Sequence, residues 1–231
     1  MKSEHSSEII SLREKRLTAK QIARKLSLKV ADVNRVIKAN ASEKAIAAGK
    51  TEELAPVAQC LCNRSSAEQL LEKPDGEEDE MMGGLGMILV ARTTGYKRFE
   101  VGTYMVDYWC LGLKDTIGIK KMNDIKYRQF LEMVYQGFPE GYQEISLEQA
   151  QAIVYGAIDY GESLGFKPHK DFKKTQPHLG KWSGKPKLTF GRVGKPYYIA
   201  GPYDNSDRIM ETLRKNVGFG NFDYVIGLED F

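Results

Sequence analysis

The chain contains no run of eighteen or more apolar residues, which excludes an apolar stretch of membrane-spanning length. Cysteine is scarce: Cys60, Cys62 and Cys110 are the three in 231 residues. An odd, low count points to reduced thiols and a cytoplasmic setting. The opening "MKSEHSSEIISLREK" carries charge where a secretory signal has an apolar centre, so no such signal is expected. The paired glycines lack the spacing of a phosphate loop or a dinucleotide fingerprint, so no cofactor is expected. Cys60-x-Cys62 is too close and lacks a second pair, so it is not a zinc signature and no metal is expected.

What is present is the composition of a folded chain, with 42% hydrophobic and 28% charged residues. The length suits one large domain, or a medium one plus a small one. The net charge of +3 is unevenly spread. Residues 1–50 carry twelve Lys/Arg against five Asp/Glu, and residues 51–80 carry two against nine. The remainder is nearly balanced. This predicts a basic domain over 1–50, an acidic linker over 51–83 and a larger domain over 84–231.

In the basic head, Ile9, Leu12 and Leu17 can line one face of a first helix, with Ser6 or Ser7 as its cap. Thr18 and Gln21 have the spacing of a capping box. Ile22, Ala23 and Leu26 make the apolar stripe of a second helix, and Ser27 to Lys29 break it. Val30, Val33, Val36 and Ile37 make the stripe of a third. The Ala- and Lys-rich stretch from Ala39 to Lys50 can extend it.

Over roughly residues 6–40 this spacing resembles the helix-turn-helix family. Ala23 stands at the family's small residue, where the two helices cross. Val33 stands at its β-branched packing position. Ile22, Leu26, Leu28 and Val36 match the other apolar positions. The chain departs at the turn, where the family often has glycine and this sequence has Ser27. The resemblance implies that the third helix enters the major groove of double-stranded DNA. Asn34, Arg35 and Lys38 are then the base-reading candidates. Lys20, Arg24, Lys25 and Lys29 are the phosphate neighbours. The alternative is a small helical bundle whose basic face binds protein.

In the joint, "PVAQCLCNRSSAEQLLEK" can form a short hairpin or helix against the main body. "KPDGEEDEMMGG" reads as an exposed acidic loop, which could compete with DNA for the basic head. In the body, Met87 to Ala91 and Phe99 to Trp109 read as strands of a β-hairpin turning at "TTGYKR". Ile125 to Phe138 has helical spacing, with Gly137 as an end signal. Ser146 and Gln149 open a second helix by a capping box, and Gly165 closes it. "KPKLTFG" and "KPYYIAGPYD" are short strand candidates, and "SDRIMETLRKNVG" is a last helix capped by Ser206. The fold class predicted is an α+β body, a β-hairpin in a small sheet with packed helices, preceded by a small all-α helix-turn-helix domain.

Three features of the body could carry chemistry. Asp107 lies in an apolar strand, with Cys110 just beyond it. If His169 approached, the three could form a nucleophile, a base and an orienting acid. The plainer and preferred reading is a paired Asp107 and a core Cys110. Asp107 with Asp124 and Lys126 imitates a magnesium nuclease, although Asp124 opens a predicted helix. Last, Lys167 to Lys195 holds nine Lys/Arg and one acid. Lys170, Lys173, Lys174, Lys181 and Lys185 there interleave with Phe172, Trp182 and Phe190. That pattern suits a secondary nucleic-acid surface, on RNA or DNA, or a solvated loop anchored by its aromatics.

The stretches "GLGMILVAR", "VGTYMVDYWCLGLKD" and "YGESLGFKPHKDF" resemble an uncharacterised bacterial domain to which no activity attaches. The resemblance implies one recurring unit over residues 84–215 and carries no catalytic residue with it. The expectation is a DNA-binding regulator of transcription or of a mobile element, whose body takes a partner or effector. A homodimer on two half-sites is compatible, although no dimerisation stripe is visible. The rivals are a nucleic-acid-directed nuclease or thiol hydrolase, and a ribosome- or RNA-binding protein.

Overall fold

The computed structural model describes residues 4–15, 17–47, 54–72 and 83–226. It divides into two compact units, Met1–Leu54 and Ala55–Phe231. The acidic stretch over residues 73–82 lies outside the described residues. So do the side chains of residues 38, 39 and 41–47 in the third helix.

The first unit has three helices: α1 (Glu4–Glu14), α2 (Ala19–Lys25) and α3 (Val30–Ala47). Ile9, Leu12, Ile22, Ala23 and Val33 are buried together, with Leu17, Leu26, Leu28, Val36 and Ile37 packed around them. The Thr18 hydroxyl accepts from the Gln21 amide while the Gln21 side chain accepts from the Thr18 amide, so the capping box is formed. Ser6 and Ser7 do not cap α1; it begins at Glu4 and they lie inside it.

The second unit is an α+β fold around a five-stranded antiparallel sheet. The strands are β1 (Val57–Asn63), β2 (Leu85–Gly95), β3 (Arg98–Asp107), β4 (Gly112–Asn123) and β5 (Tyr142–Glu144). Their order is β4-β3-β2-β1-β5. A short helix, α4 (Arg64–Ala67), follows β1 and runs into one wider turn over Glu68–Glu72. The other helices are α5 (Asp124–Tyr135), α6 (Leu147–Ser163), α7 (Phe172–Leu179) and α8 (Ser206–Asn216). Strand alternation splits the core in two. Cys60, Cys62, Ile88, Val90, Tyr104 and Val106 face one way, against Ile153, Val154 and Ala157 of α6 and Phe172 and Leu179 of α7. Leu61, Leu89, Ala91 and Val101 face the other way, against Tyr127, Phe130, Leu131 and Tyr135 of α5. A third cluster gathers Cys110, Leu164, Tyr198, Met210, Leu213 and Phe222 around α8 and a parallel pair, β6 (Tyr197–Ile199) with β7 (Asp223–Val225).

Backbone contact between α6 and the sheet depends on two glycines. A Cβ on Gly112, which has φ +74°, would lie 2.6 Å from the Ala157 carbonyl oxygen, and one on Gly161 would lie 3.1 Å from the Gly112 Cα. Only hydrogen at both positions allows this approach.

Several expectations need correction. Residues 55–72 are not linker: β1 sits inside the sheet, between β2 and β5, so the unit boundary precedes it. A fourth strand, β4, follows the predicted hairpin. "KPKLTFG" is irregular, apart from an isolated bridge between Arg192 and Lys195 just beyond it. The basic stretch, one reading of which was a solvated loop, contains an eight-residue helix, α7, with Pro177 inside it. The cap of α8 is Asn205, whose side chain accepts from the Arg208 amide, and Ser206 is the first helical residue.

Candidate nucleic-acid interface

The turn between α2 and α3 is closed by two backbone bonds. The Leu26 amide donates to Ile22 O at 3.0 Å, and the Leu28 amide to Ala23 O at 2.9 Å. The second closes a loop of Schellman type, which needs a left-handed residue between its ends. Ser27 takes that place at φ +54°. Here the sequence departs from glycine, and serine accepts the strained backbone. The turn lets Ala23 and Val33 become buried at 4% and 0% exposure.

With the apolar stripes turned inward, the polar residues lie outside. Asn34, Arg35, Lys20, Arg24, Lys25 and Lys29 are all exposed. Between Ala19 and Arg35 the chain has five Lys/Arg and one acid, Asp32. Asp32 Oδ1 lies 3.2 Å from Arg35 Nη1, and the Arg35 side chain stays 78% exposed. Such an exposed pair is weak and readily exchanged for another acceptor. Lys38 lies on α3, but its side chain is outside the described residues.

The basic segment of the second unit is arranged differently. Lys170, Lys173, Lys174, Lys181 and Lys185 are exposed, with Lys174 paired to Asp171 at 2.6 Å. Its aromatics pack inward. Phe172 is buried against Tyr104 and Tyr155. Phe190 stacks on Tyr160 and packs against Gly156, where an added Cβ would meet its ring at 2.8 Å. Trp182 stacks on Tyr155 at 6.0 Å, and its Nε1 donates to Lys185 O. These rings anchor the segment to the core.

The groups considered for catalysis are not assembled as catalysis would need. Asp107 Oδ1 accepts from the amides of Trp109 at 3.1 Å and Cys110 at 2.9 Å, and so holds the turn between β3 and β4. Burial pushes its carboxyl up to about 6, against the lowering effect of those amides and of Lys114. Burial, with Asp107 adding to it, pushes the Cys110 thiol well above its ordinary range, the opposite of an activated nucleophile. His169 lies 3.7 Å from Asp115 rather than beside Asp107, and its amide donates to Leu113 O. The nuclease arrangement fails on register: β3 pairs Asp107 with Gly112 at one end and Arg98 with Asn123 at the other. Asp124 and Lys126 therefore start α5 about 30 Å from Asp107, the length of a ten-residue strand. Among the described residues no group of three or more His, Cys, Asp or Glu side chains could hold a metal ion, and no helix is long and apolar enough to cross a membrane.

One feature was absent from the sequence-based candidates. At the tip of the β2–β3 hairpin, a pocket of about 450 Å³ is lined by Thr94, Arg98, Phe99, Lys121, Asn123 and Lys126, among others. "TTGYKR" and "KKMNDIK" are both rich in cations, and that was the available signal. Comparison of the chain with protein-family models, curated proteins and solved structures gives no match.

Proposed function

We propose that residues 1–50 are a helix-turn-helix domain that binds double-stranded DNA. The chain would act in the cytoplasm as a regulator of transcription or of a mobile element. Asn34, Arg35 and Lys38 read base edges, while Lys20, Arg24, Lys25 and Lys29 neutralise phosphates. The second unit takes a partner or effector. Dimerisation on two half-sites belongs to the same reading.

The observation that supports it is a division of side chains across one turn. Ile22, Ala23 and Val33 are buried, whereas Asn34 and Arg35 on the same short pair of helices remain exposed beside four further cations. A solvated bundle needs the first half of that division but not a cationic surface carrying one acid. The enzyme reading has less support, because the Cys110 thiol is held protonated and Asp107 is occupied with backbone amides.

Arg35→Ala tests the proposal. A lost bidentate base contact costs about 1–3 kcal/mol on the preferred duplex. Release from Asp32 offsets at most about 1 kcal/mol of what Arg35 gains on binding. Fluorescence anisotropy is expected to show roughly ten-fold weaker binding to the preferred duplex and little change on random duplex. Equal loss on both would make Arg35 a phosphate contact and remove the base-reading assignment.

A further inference from the structure

The β2–β3 hairpin turns through Tyr96 and Lys97, between the paired residues Gly95 and Arg98. β4 runs alongside, placing Lys121 opposite Glu100 and Asn123 opposite Arg98. The Asp124 amide, at the start of α5, donates to Lys97 O at 3.1 Å, tying the helix to the tip. Two chain stretches more than twenty residues apart thus gather Arg98, Lys121 and Lys126 around one pocket. The half-buried Phe99 and Met122 contribute its apolar lining.

Two acids lie close, and both are engaged. Glu100 Oε1 is 2.8 Å from Lys121 Nζ, and Asp124 Oδ2 is 2.7 Å from Arg128 Nη2. Lys97, Arg98 and Lys126 have no ion-pair partner among the described residues. Tyr96 stands at the tip with 88% of its surface exposed, and its ring contact there is Lys97 Nζ at 5.4 Å from the centroid. An open concavity with uncompensated cations suits a phosphate, and an uncovered ring beside it suits the face of a base. A free phosphate would leave Tyr96 unused, and a duplex keeps its base faces stacked inside.

We infer that this tip binds an unpaired stretch of nucleic acid, with a backbone phosphate between Arg98 and Lys126 and a base on Tyr96. The site stands apart from the duplex reader proposed for the first unit, and neither depends on the other.

The test uses the full chain and a fluorescein-labelled oligothymidine on the order of fifteen nucleotides, a typical single-strand site size. Tyr96→Ala is expected to weaken binding about five-fold or more, the loss of one stacked base. Arg98→Ala with Lys126→Ala is expected to reduce the salt slope by about 0.7, for the one phosphate the two side chains hold. Arg35→Ala is expected to leave oligothymidine binding unchanged. All these side chains are exposed, and unchanged thermal melts would show that the variants fold. The inference is overturned if the tip variants bind oligothymidine like the wild type. It is also overturned if Tyr96→Ala has no effect while inorganic phosphate competes fully, which would mark a phosphate pocket alone. Equal losses on duplex and on oligothymidine would overturn the assignment to an unpaired strand. Failure of the duplex reader would appear separately, as a wild-type chain with no duplex preference and intact oligothymidine binding.

Discussion

Asp107 offers a quantitative test of how the second unit is built. Its carboxyl is 6% exposed and bonded to backbone amides, yet burial lifts its pKa from an ordinary 3.8 to about 6. That rise corresponds to about 3 kcal/mol at about 1.36 kcal/mol per pH unit. Below about pH 4 the group is protonated in both folded and unfolded chains and has no effect. Between about pH 4 and 6 only the unfolded chain ionises, so stability falls as pH rises. Above about pH 6 the full cost is present. In Asp107→Asn the amide oxygen still accepts from Trp109 and Cys110 and no charge is buried. The nearby Leu111 amide loses an acceptor if the new NH₂ faces it, at a cost of about 1 kcal/mol. The variant is therefore expected to be more stable than the wild type by about 2 kcal/mol at pH 7, and equal or slightly weaker at pH 4. Both tryptophans, Trp109 and Trp182, lie in this unit, so fluorescence-monitored urea unfolding at several pH values reports on it alone. The reasoning is refuted if Asp107→Asn is destabilised at pH 7 while wild-type stability rises between pH 4 and 6. The amide bonds would then outweigh burial.

Two further outcomes follow from local geometry. Ser27→Val puts a β-branched side chain at φ +54° and is expected to destabilise the first unit by about 1–2 kcal/mol, read by circular dichroism of its helices. Asp204→Ala removes the partner held 3.0 Å from the largely buried Lys114, together with the acceptor for the Gly201 amide. A loss of about 3 kcal/mol is expected in urea unfolding, and a loss under about 1 kcal/mol would mean that Lys114 finds solvent.

Much of the fold was legible where local chemistry and periodicity agree. Both capping boxes, Thr18 with Gln21 and Ser146 with Gln149, form as their spacing indicates. The apolar stripes of α2, α3 and α6 become core, except for Val30 at the start of α3, which is 39% exposed. β4 was hidden because Lys114, Asp115, Lys120 and Lys121 interrupt its apolar residues, a pattern an edge strand tolerates. β1 was hidden inside a charge boundary, since the acidic stretch follows the strand rather than enclosing it. Pro177 concealed α7, where the helix is too short for one proline to exclude it. The hairpin-tip pocket needs the register of Arg98 with Asn123 to bring its cations together. Long-range pairing of that kind is not a property of either stretch alone. The separation of Asp107 from Asp124 depends on the same register, which is why their spacing along the chain was misleading.

The central claim is that α3 reads a DNA sequence. Its most direct measurement is selection from a pool of random duplexes by the full-length protein, in parallel with a variant carrying Asn34→Ala and Arg35→Ala. The account predicts that the wild type enriches one family of sequences, that the preference persists as salt is raised, and that the variant enriches none. Enrichment of the same sequences by both proteins, or of none by the wild type, would contradict it.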